Sequence, residues 1–505
     1  MLSRRSLLRR GGGLALAAAT VGTSAGAVYG SENKWEQLRK HLRGDVVLPT
    51  DDAYTYAKQC VLVELDTVTP QGIVYCETPQ DVATAIAFAQ DHDLAVHTRS
   101  GGHNLAGWST GPGMILDVSR LSHIAVGPRT VRLGPGVQSI DAVTTLQAHN
   151  RQIVTGTCAT IRQGGYLSGG GIGFQARKFG IGSDRLVSAR VVLSDGRIVR
   201  ASHESHPDLF WALRGGGGGN FGVAVDLEVR PITAPRLVYF DTYWPWDKAQ
   251  EVITAWQEWC STGSDNLGAT LTLLVRDGAP GNVPLLKIHG GYHGPQQEIE
   301  QALNDLAAAA GATPTLRHVQ EYPYGEAMKA VYTCEQMTVQ QCHRAGSNPD
   351  AKIQRTPFLR ERTRLLDRPT GSSGTADLLA TFEANRRPGH TTYLYFTALG
   401  GAANRVPRTH TAYVHRGAEF FVACATLLAN PRPTAEEAEA AMVWPTEAFH
   451  VIDPLSSGES YLNFPNPDLG DWRQSYYAEN YSRLVAVKRR YDAPNFFRHP
   501  QSIGS

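Results

Sequence analysis

The chain has 505 residues, too many for one core, so two domains are expected, one of them discontinuous. Apolar residues make up 42% and charged residues 19%, the balance of a soluble globular protein. A formal charge of +1 argues against nucleic acid or an anionic membrane surface as partner.

Residues 1–27 are read apart from the fold. The stretch "SRRSLLRR" carries paired arginines before a mildly apolar run, and Ala25-Gly26-Ala27 supplies a small-residue cleavage site. This pattern is a Tat-type export signal, so the protein is expected outside the cytoplasm after passing through the export machinery. The apolar run is too short to span a bilayer. Tat export carries folded proteins, which suits a chain that must first acquire a cofactor. Seven cysteines (Cys60, Cys76, Cys158, Cys260, Cys334, Cys342 and Cys424) form no CxxC pair and no zinc spacing, and no metal is expected. Cys334 and Cys342 are close enough in sequence to bridge; buried free thiols are the other reading.

From about residue 68 the pattern is mixed α/β. Thr78-Pro79 starts a helix whose apolar positions Val82, Ala85, Ile86 and Ala89 share a face. Strands are predicted at "LAVHTR", "MILDVS" and "TVRLGPG". "LVSARVVLSDGRIVRAS" reads as a hairpin with Asp195-Gly196 supplying positive φ angles. Beyond residue 236, helices at "AQEVITAWQEW" and 297–310 alternate with strands such as "ATLTLLVR" and "TTYLYFTAL", predicting a second domain with helices on one face of a sheet. The last 60 residues or so are rich in Tyr, Asn and Pro.

The glycine-rich stretches carry the chemistry. "GGGNFG" at 217–222 fits the GxGxxG dinucleotide fingerprint, but a helical pattern precedes it and a strand follows, the reverse of what that fingerprint needs. "TRSGGHNLAGW" at 98–108 instead fits an anion cradle, in which successive small residues after a strand turn several N–H groups toward one oxyanion. A lone Cys158 then sits ahead of two more glycine clusters in "TGTCATIRQGGYLSGGGIGF", where the backbone must approach something flat or bulky.

"RSGGHN", "GTC", "GGYLSGGGIG", "FWALRGGGGGNFGV", "GGAANRVPRTHTAYVHR" and the tail from "YLNFPNPDLG" onward together resemble the berberine-bridge-enzyme-like flavoproteins, over nearly the whole mature chain and in the same order. The resemblance implies an α+β fold: a PCMH-type, vanillyl-alcohol-oxidase-like FAD-binding domain (28–235), completed by the C-terminal segment (446–505), with an inserted α+β substrate domain (236–445). It implies FAD attached twice, His103 through a ring nitrogen to the 8α-methyl and Cys158 through sulfur to C6. Such substitution withdraws electron density from the ring and raises its potential for accepting hydride from a poor donor. The Arg99-Ser100-Gly101-Gly102-His103 backbone, with Asn104, would cradle the pyrophosphate. Gly165, Gly169, Gly170 and Gly171 would line the ring or allow close packing. Asn220, Gly222, Asn480 and Asn495 match positions that bond the cofactor or close its pocket; turn glycines and capping asparagines are the alternative reading.

In this family a tyrosine in a "YxN" motif often removes the substrate proton, and here it is Tyr461. A free tyrosine has pKa ~10 and needs a neighbour that lowers it. Tyr393 and Tyr395 alternate on a strand and face one side of its sheet, to bind substrate, assist the base or pack a core. Leu105 and Ile172 replace aromatic residues common in relatives that act on sugars, and Phe464 replaces a tyrosine that many relatives carry, which implies a more apolar pocket. Ala478 stands for a glycine of the family's "YYGxN" pattern, a change expected to be mild. Ile161, three past the cysteine, is intermediate between residues that admit O2 to the flavin and those that block it. The expected function is a secreted FAD-linked oxidase taking hydride from a C–OH or C–N carbon of a small secondary metabolite, with O2 as acceptor and hydrogen peroxide as product. An oligosaccharide or hexose oxidase, a dehydrogenase with another acceptor and an inactive binding protein are the alternatives.

Overall fold

A computed structural model describes residues 34–505, so the export signal read over 1–27 lies outside the described residues. Three sheets carry the architecture. The first contains β1 (Asp45–Val47), β2 (Gly72–Tyr75), β3 (Val96–Arg99) and β4 (Met114–Asp117) in the order β1-β2-β4-β3, with β2 and β3 both parallel to β4. Helix Pro79–Asp91 makes the crossover between β2 and β3. Thr78 closes a capping box, accepting the Asp81 N–H at 3.0 Å while the Asp81 carboxylate accepts the Thr78 N–H at 3.1 Å. Val82, Ala85, Ile86 and Ala89 are fully buried against the strands, as the spacing predicts.

The second sheet is antiparallel: β5 (Ile124–Val126), β6 (Val131–Leu133), β7 (Leu186–Val192), β8 (Ile198–Ser202) and β9 (Val223–Val229), ordered β5-β6-β9-β7-β8. The β7–β8 hairpin forms as read, but only Gly196 takes a positive φ, 79°, and Asp195 does not. The loop is longer than two residues. The Gly196 N–H closes on the Leu193 carbonyl at 3.0 Å, and such a turn needs one left-handed residue.

The third sheet has seven antiparallel strands: β10 (Arg236–Trp244), β11 (Leu267–Val275), β12 (Leu285–Tyr292), β13 (Leu316–Pro323), β14 (Phe358–Leu366), β15 (His390–Ala398) and β16 (Phe420–Leu428), ordered β13-β10-β12-β11-β15-β16-β14. Helices Ala249–Thr262, Gln296–Ala310, Gly371–Ala384 and Ala435–Ile452 cover one face. Trp256, Phe396, Phe420 and Trp444 are buried between them. The last of these helices runs through residue 445, so the unit resting on this sheet continues past the boundary drawn there. Strand periodicity leaves Thr270, Thr272, His289, Tyr395, Thr397 and Phe421 on the other face, lining the cavity described below.

Two segments tie the sheets together. Loop 333–357 is stapled by a Cys334–Cys342 disulfide, and the other five cysteines are free. It returns to the first domain through Arg355 on Asp66 (2.6 Å) and His343 on Asp141 (2.8 Å). The C-terminal helix Tyr481–Tyr491 docks through Lys488, which donates to the Asn220 carbonyl (2.7 Å) and to Asp492 (2.6 Å). Among the described residues, no helix is long and apolar enough to cross a membrane.

The substitution at 478 is not mild. Ala478 ends helix Trp472–Tyr477 at φ 41°, ψ −127°, a conformation that a Cβ makes costly. Ala478→Gly is expected to stabilise the fold by about 1 kcal/mol, read as a higher denaturation midpoint.

Candidate cofactor and substrate site

The three sheets and the tail enclose a cavity of about 550 Å³. Its floor is the turn after β3, where Arg99 to Asn104 line it together with Cys158. Cys158 and His103 come from separate loops and meet at one hydroxyl. Thr160 Oγ1 lies 2.9 Å from His103 Nε2 and 3.5 Å from Cys158 Sγ. Burial pulls the His103 pKa down to about 3, and the Arg344 and Arg162 guanidiniums push the same way. The imidazole is therefore neutral at physiological pH and has a nucleophilic ring nitrogen.

The backbone here is built for close approach. Gly102 sits at φ +66° against Cys60, where a side chain would be both strained and crowded. A Cβ on Gly165 would meet nothing within 4 Å, because it would project into the cavity itself. Six buried polar atoms of cavity-lining residues have no partner in the protein: one Arg99 Nη, Ser109 Oγ, Tyr166 OH, His289 Nδ1, His499 Nδ1 and Gln501 Oε1. Trp108 and His499 stack at 4.3 Å and 16°, making a flat aromatic wall. Open space above a glycine turn, unpaired polar groups and a stacking wall fit a flavin dinucleotide, with its planar ring system, amide-like edge and phosphates.

Several of the residues named for the cofactor have roles in the fold. The Arg99 side chain belongs to the fold: it pairs with Asp117 at 2.5 Å and donates to the Ala57 carbonyl at 2.6 Å, both charged groups being buried. Arg99→Ala would strand the Asp117 charge and is expected to cost about 3–5 kcal/mol, measured by chemical denaturation. Gly169, Gly170 and Gly171 do not line the cavity. They are glycines because Asn463, Tyr413 and Tyr166 occupy the space a Cβ would need. Asn480 donates to the carbonyls of Arg408 (3.0 Å) and Thr411 (3.2 Å), and Asn495 occupies a positive-φ turn just before the cavity-lining segment 497–499. Asn220 and Gly222 do line it, and Asn220 Oδ1 also accepts the Ile503 N–H at 3.0 Å, locking the tail onto the glycine loop.

Of the three tyrosines, Tyr461 and Tyr395 line the cavity and Tyr393 does not. The Tyr461 hydroxyl accepts the Gly171 N–H (2.8 Å) and the Asn463 amide (2.8 Å). Burial pushes its pKa up to about 12, opposed by those donors and by the Ile172 N–H. Those donors offset part of the cost that burial adds to ionising the phenol. Leu105, Ile172, Phe464 and Ile161 all line the cavity. Sequence reasoning missed Thr160, Arg162, Tyr166 and Asn463. Thr160 lies two residues from Cys158 and Asn463 is the third member of the "YxN" motif, and both were within reach of the motifs; Arg162 becomes notable only when its burial beside His103 is seen.

The fold and the site together define a flavin-dependent oxidoreductase. Residues 70–202 match the FAD binding domain and residues 460–504 the berberine and berberine-like segment. The uncharacterized FAD-linked oxidoreductase YgaK of Bacillus subtilis (strain 168) is 28% identical over 92% of this chain and 97% of its own. A xylooligosaccharide oxidase of Thermothelomyces thermophilus is 25% identical over 86% and 87%. The solved structures of a chitooligosaccharide oxidase (21% identity, TM-score 0.81, 93% of this chain and 99% of that one) and of berberine bridge enzyme from Eschscholzia californica (22%, 0.81, 93% and 98%) share the fold. The chain thus carries an FAD-binding domain and a berberine-like C-terminal segment in the order expected of a berberine-bridge-enzyme-like FAD-linked oxidoreductase.

Proposed function

We propose that this protein is exported and oxidises a carbon bearing OH or N in a small secondary metabolite, with dioxygen as acceptor and hydrogen peroxide as product. The observation that carries this reading is the Tyr461 hydroxyl, held by converging donors in the wall of the same cavity that contains His103 and Cys158. FAD bound there supplies a two-electron acceptor for hydride. The protein's own contribution is positional and acid–base. His103 and Cys158 fix the cofactor as a double covalent tether, and the glycine turn after β3 admits its phosphates. Tyr461 takes the proton of the substrate hydroxyl or amine, and the donors from Gly171 and Asn463 stabilise the phenolate that forms.

The apolar side chains of Leu105, Ile172 and Phe464 in the cavity support a substrate with a hydrophobic body. A second reading, oxidation of an oligosaccharide, has support of its own: the hydroxyls of Thr270, Thr272 and Thr397 form a polar row on the sheet wall. A peroxide-coupled screen of the purified protein separates the two. The first reading predicts turnover of aryl or polycyclic alcohols and amines with little response to xylo- or chito-oligosaccharides, and the reverse pattern overturns it.

A further inference from the structure

The cavity lining contains basic and neutral side chains and no carboxylate. One acid stands just outside it. Glu361 on β14, Ala425 on β16 and Tyr393 on β15 are cross-strand neighbours on the face of the seven-stranded sheet that looks toward the cavity. Glu361 is partly exposed there, and its Oε2 accepts the Tyr393 hydroxyl at 3.3 Å. The neighbouring arginines of β14 point to the opposite face, where Arg362 pairs with Asp468 and Arg364 with Asp453. The other acid on the cavity-facing side, Asp241, is paired with Lys287 at 3.1 Å. Glu361 thus keeps a carboxylate with a phenol for company and no cation. Desolvation pushes its pKa up to about 8, opposed by the hydrogen bond from Tyr393.

A continuous aromatic path joins this acid to the reacting end of the cavity. The Tyr461 ring is 6.2 Å from Phe421, Phe421 is 5.8 Å from Tyr395, and Tyr395 is 5.8 Å from Tyr393, whose hydroxyl meets Glu361. The alanines Ala423 and Ala425 beneath leave the rings room to lie along the sheet. We propose that Glu361 and Tyr393 form a distal subsite for a basic nitrogen, so that the preferred substrates are elongated apolar or aromatic molecules carrying an ammonium group several ring-widths from the oxidised carbon. This rests on the cavity being the substrate site of the proposed function. The Glu361 carboxylate neutralises the ammonium, and the Tyr393 and Tyr395 faces flank it as cation–π partners.

The test is calorimetric titration of the protein as purified, at a pH just above 8, with para-(dimethylaminohexyloxy)benzyl alcohol and its isostere in which CH replaces the nitrogen. The wild type is expected to bind the cationic probe about tenfold more tightly, the scale of one desolvated charge pair. Glu361→Gln should erase that preference while leaving the affinity for the neutral probe unchanged. Tyr393→Phe, which keeps the carboxylate, should retain the preference. Equal wild-type affinities, a preference untouched by E361Q, or failure of both probes to bind overturns the subsite. Failure of the oxidase reading shows separately, as binding of the probes without peroxide formation.

Discussion

Tyr461→Phe is expected to lower turnover by roughly 10²–10⁴-fold, the range supplied by a positioned general base and equivalent to about 3–5 kcal/mol of barrier. The variant keeps the ring, and with it the contacts to Phe421 and Phe464 at 6.2 and 6.1 Å, so the fold and cofactor content should not change. What is removed is the oxygen on which the Gly171 N–H and the Asn463 amide converge. The pH profile supplies the second reading. A phenol pushed up to about 12 is ionised to a tenfold greater fraction for each unit of rising pH below that value. Turnover of the wild type should therefore climb with pH on the alkaline side, and the climb should be missing from the variant. Steady-state rates across pH, taken with flavin content, decide it. A variant within a few-fold of the wild type, with the same profile, would move the proton to another group.

Replacing His103 and Cys158 in turn tests the proposed double attachment. His103→Ala and Cys158→Ala are each expected to retain flavin on a denaturing gel through the remaining link, while the double variant loses the fluorescent band. Each single variant should turn over at least about tenfold more slowly, because an electron-withdrawing attachment to the ring is lost. The two side chains share a neighbour: the hydroxyl of Thr160 lies 2.9 Å from the imidazole and 3.5 Å from the sulfur. Intact-mass measurement of the wild type, with peptide mapping to the segments holding His103 and Cys158, checks the starting point. A wild-type mass without added FAD would remove the tether from the account.

Much of this protein is legible in its sequence because the relevant signals are local. A capping box at Thr78, strand alternation in "TTYLYFTAL", helix periodicity in 249–262 and glycine runs at 98–108 and 164–173 depend on neighbours a few residues away, and each formed where its pattern placed it. The same locality explains what the sequence left open. A glycine needed for close packing and a glycine facing a ligand look alike in a sequence. Only the positions of Asn463, Tyr413 and Tyr166 show that Gly169, Gly170 and Gly171 are of the first kind, whereas Gly165 opens onto the cavity. The strain at Ala478 was likewise invisible, since the motif shows the substitution but not the φ angle the chain imposes on it.

By itself, then, the sequence determined the elements, the order of the glycine turns and the residues able to hold a flavin, because these follow from short-range sterics and hydrogen bonding. The tertiary structure alone decided which of them share a cavity. It brought His103, Cys158 and Thr160 to one point, tied Arg99 into the core and turned Asn480 toward the backbone. It also set Glu361 beside Tyr393 across a strand pairing that no local pattern encodes. Burial and long-range strand register set these placements, and both depend on the whole chain packing at once.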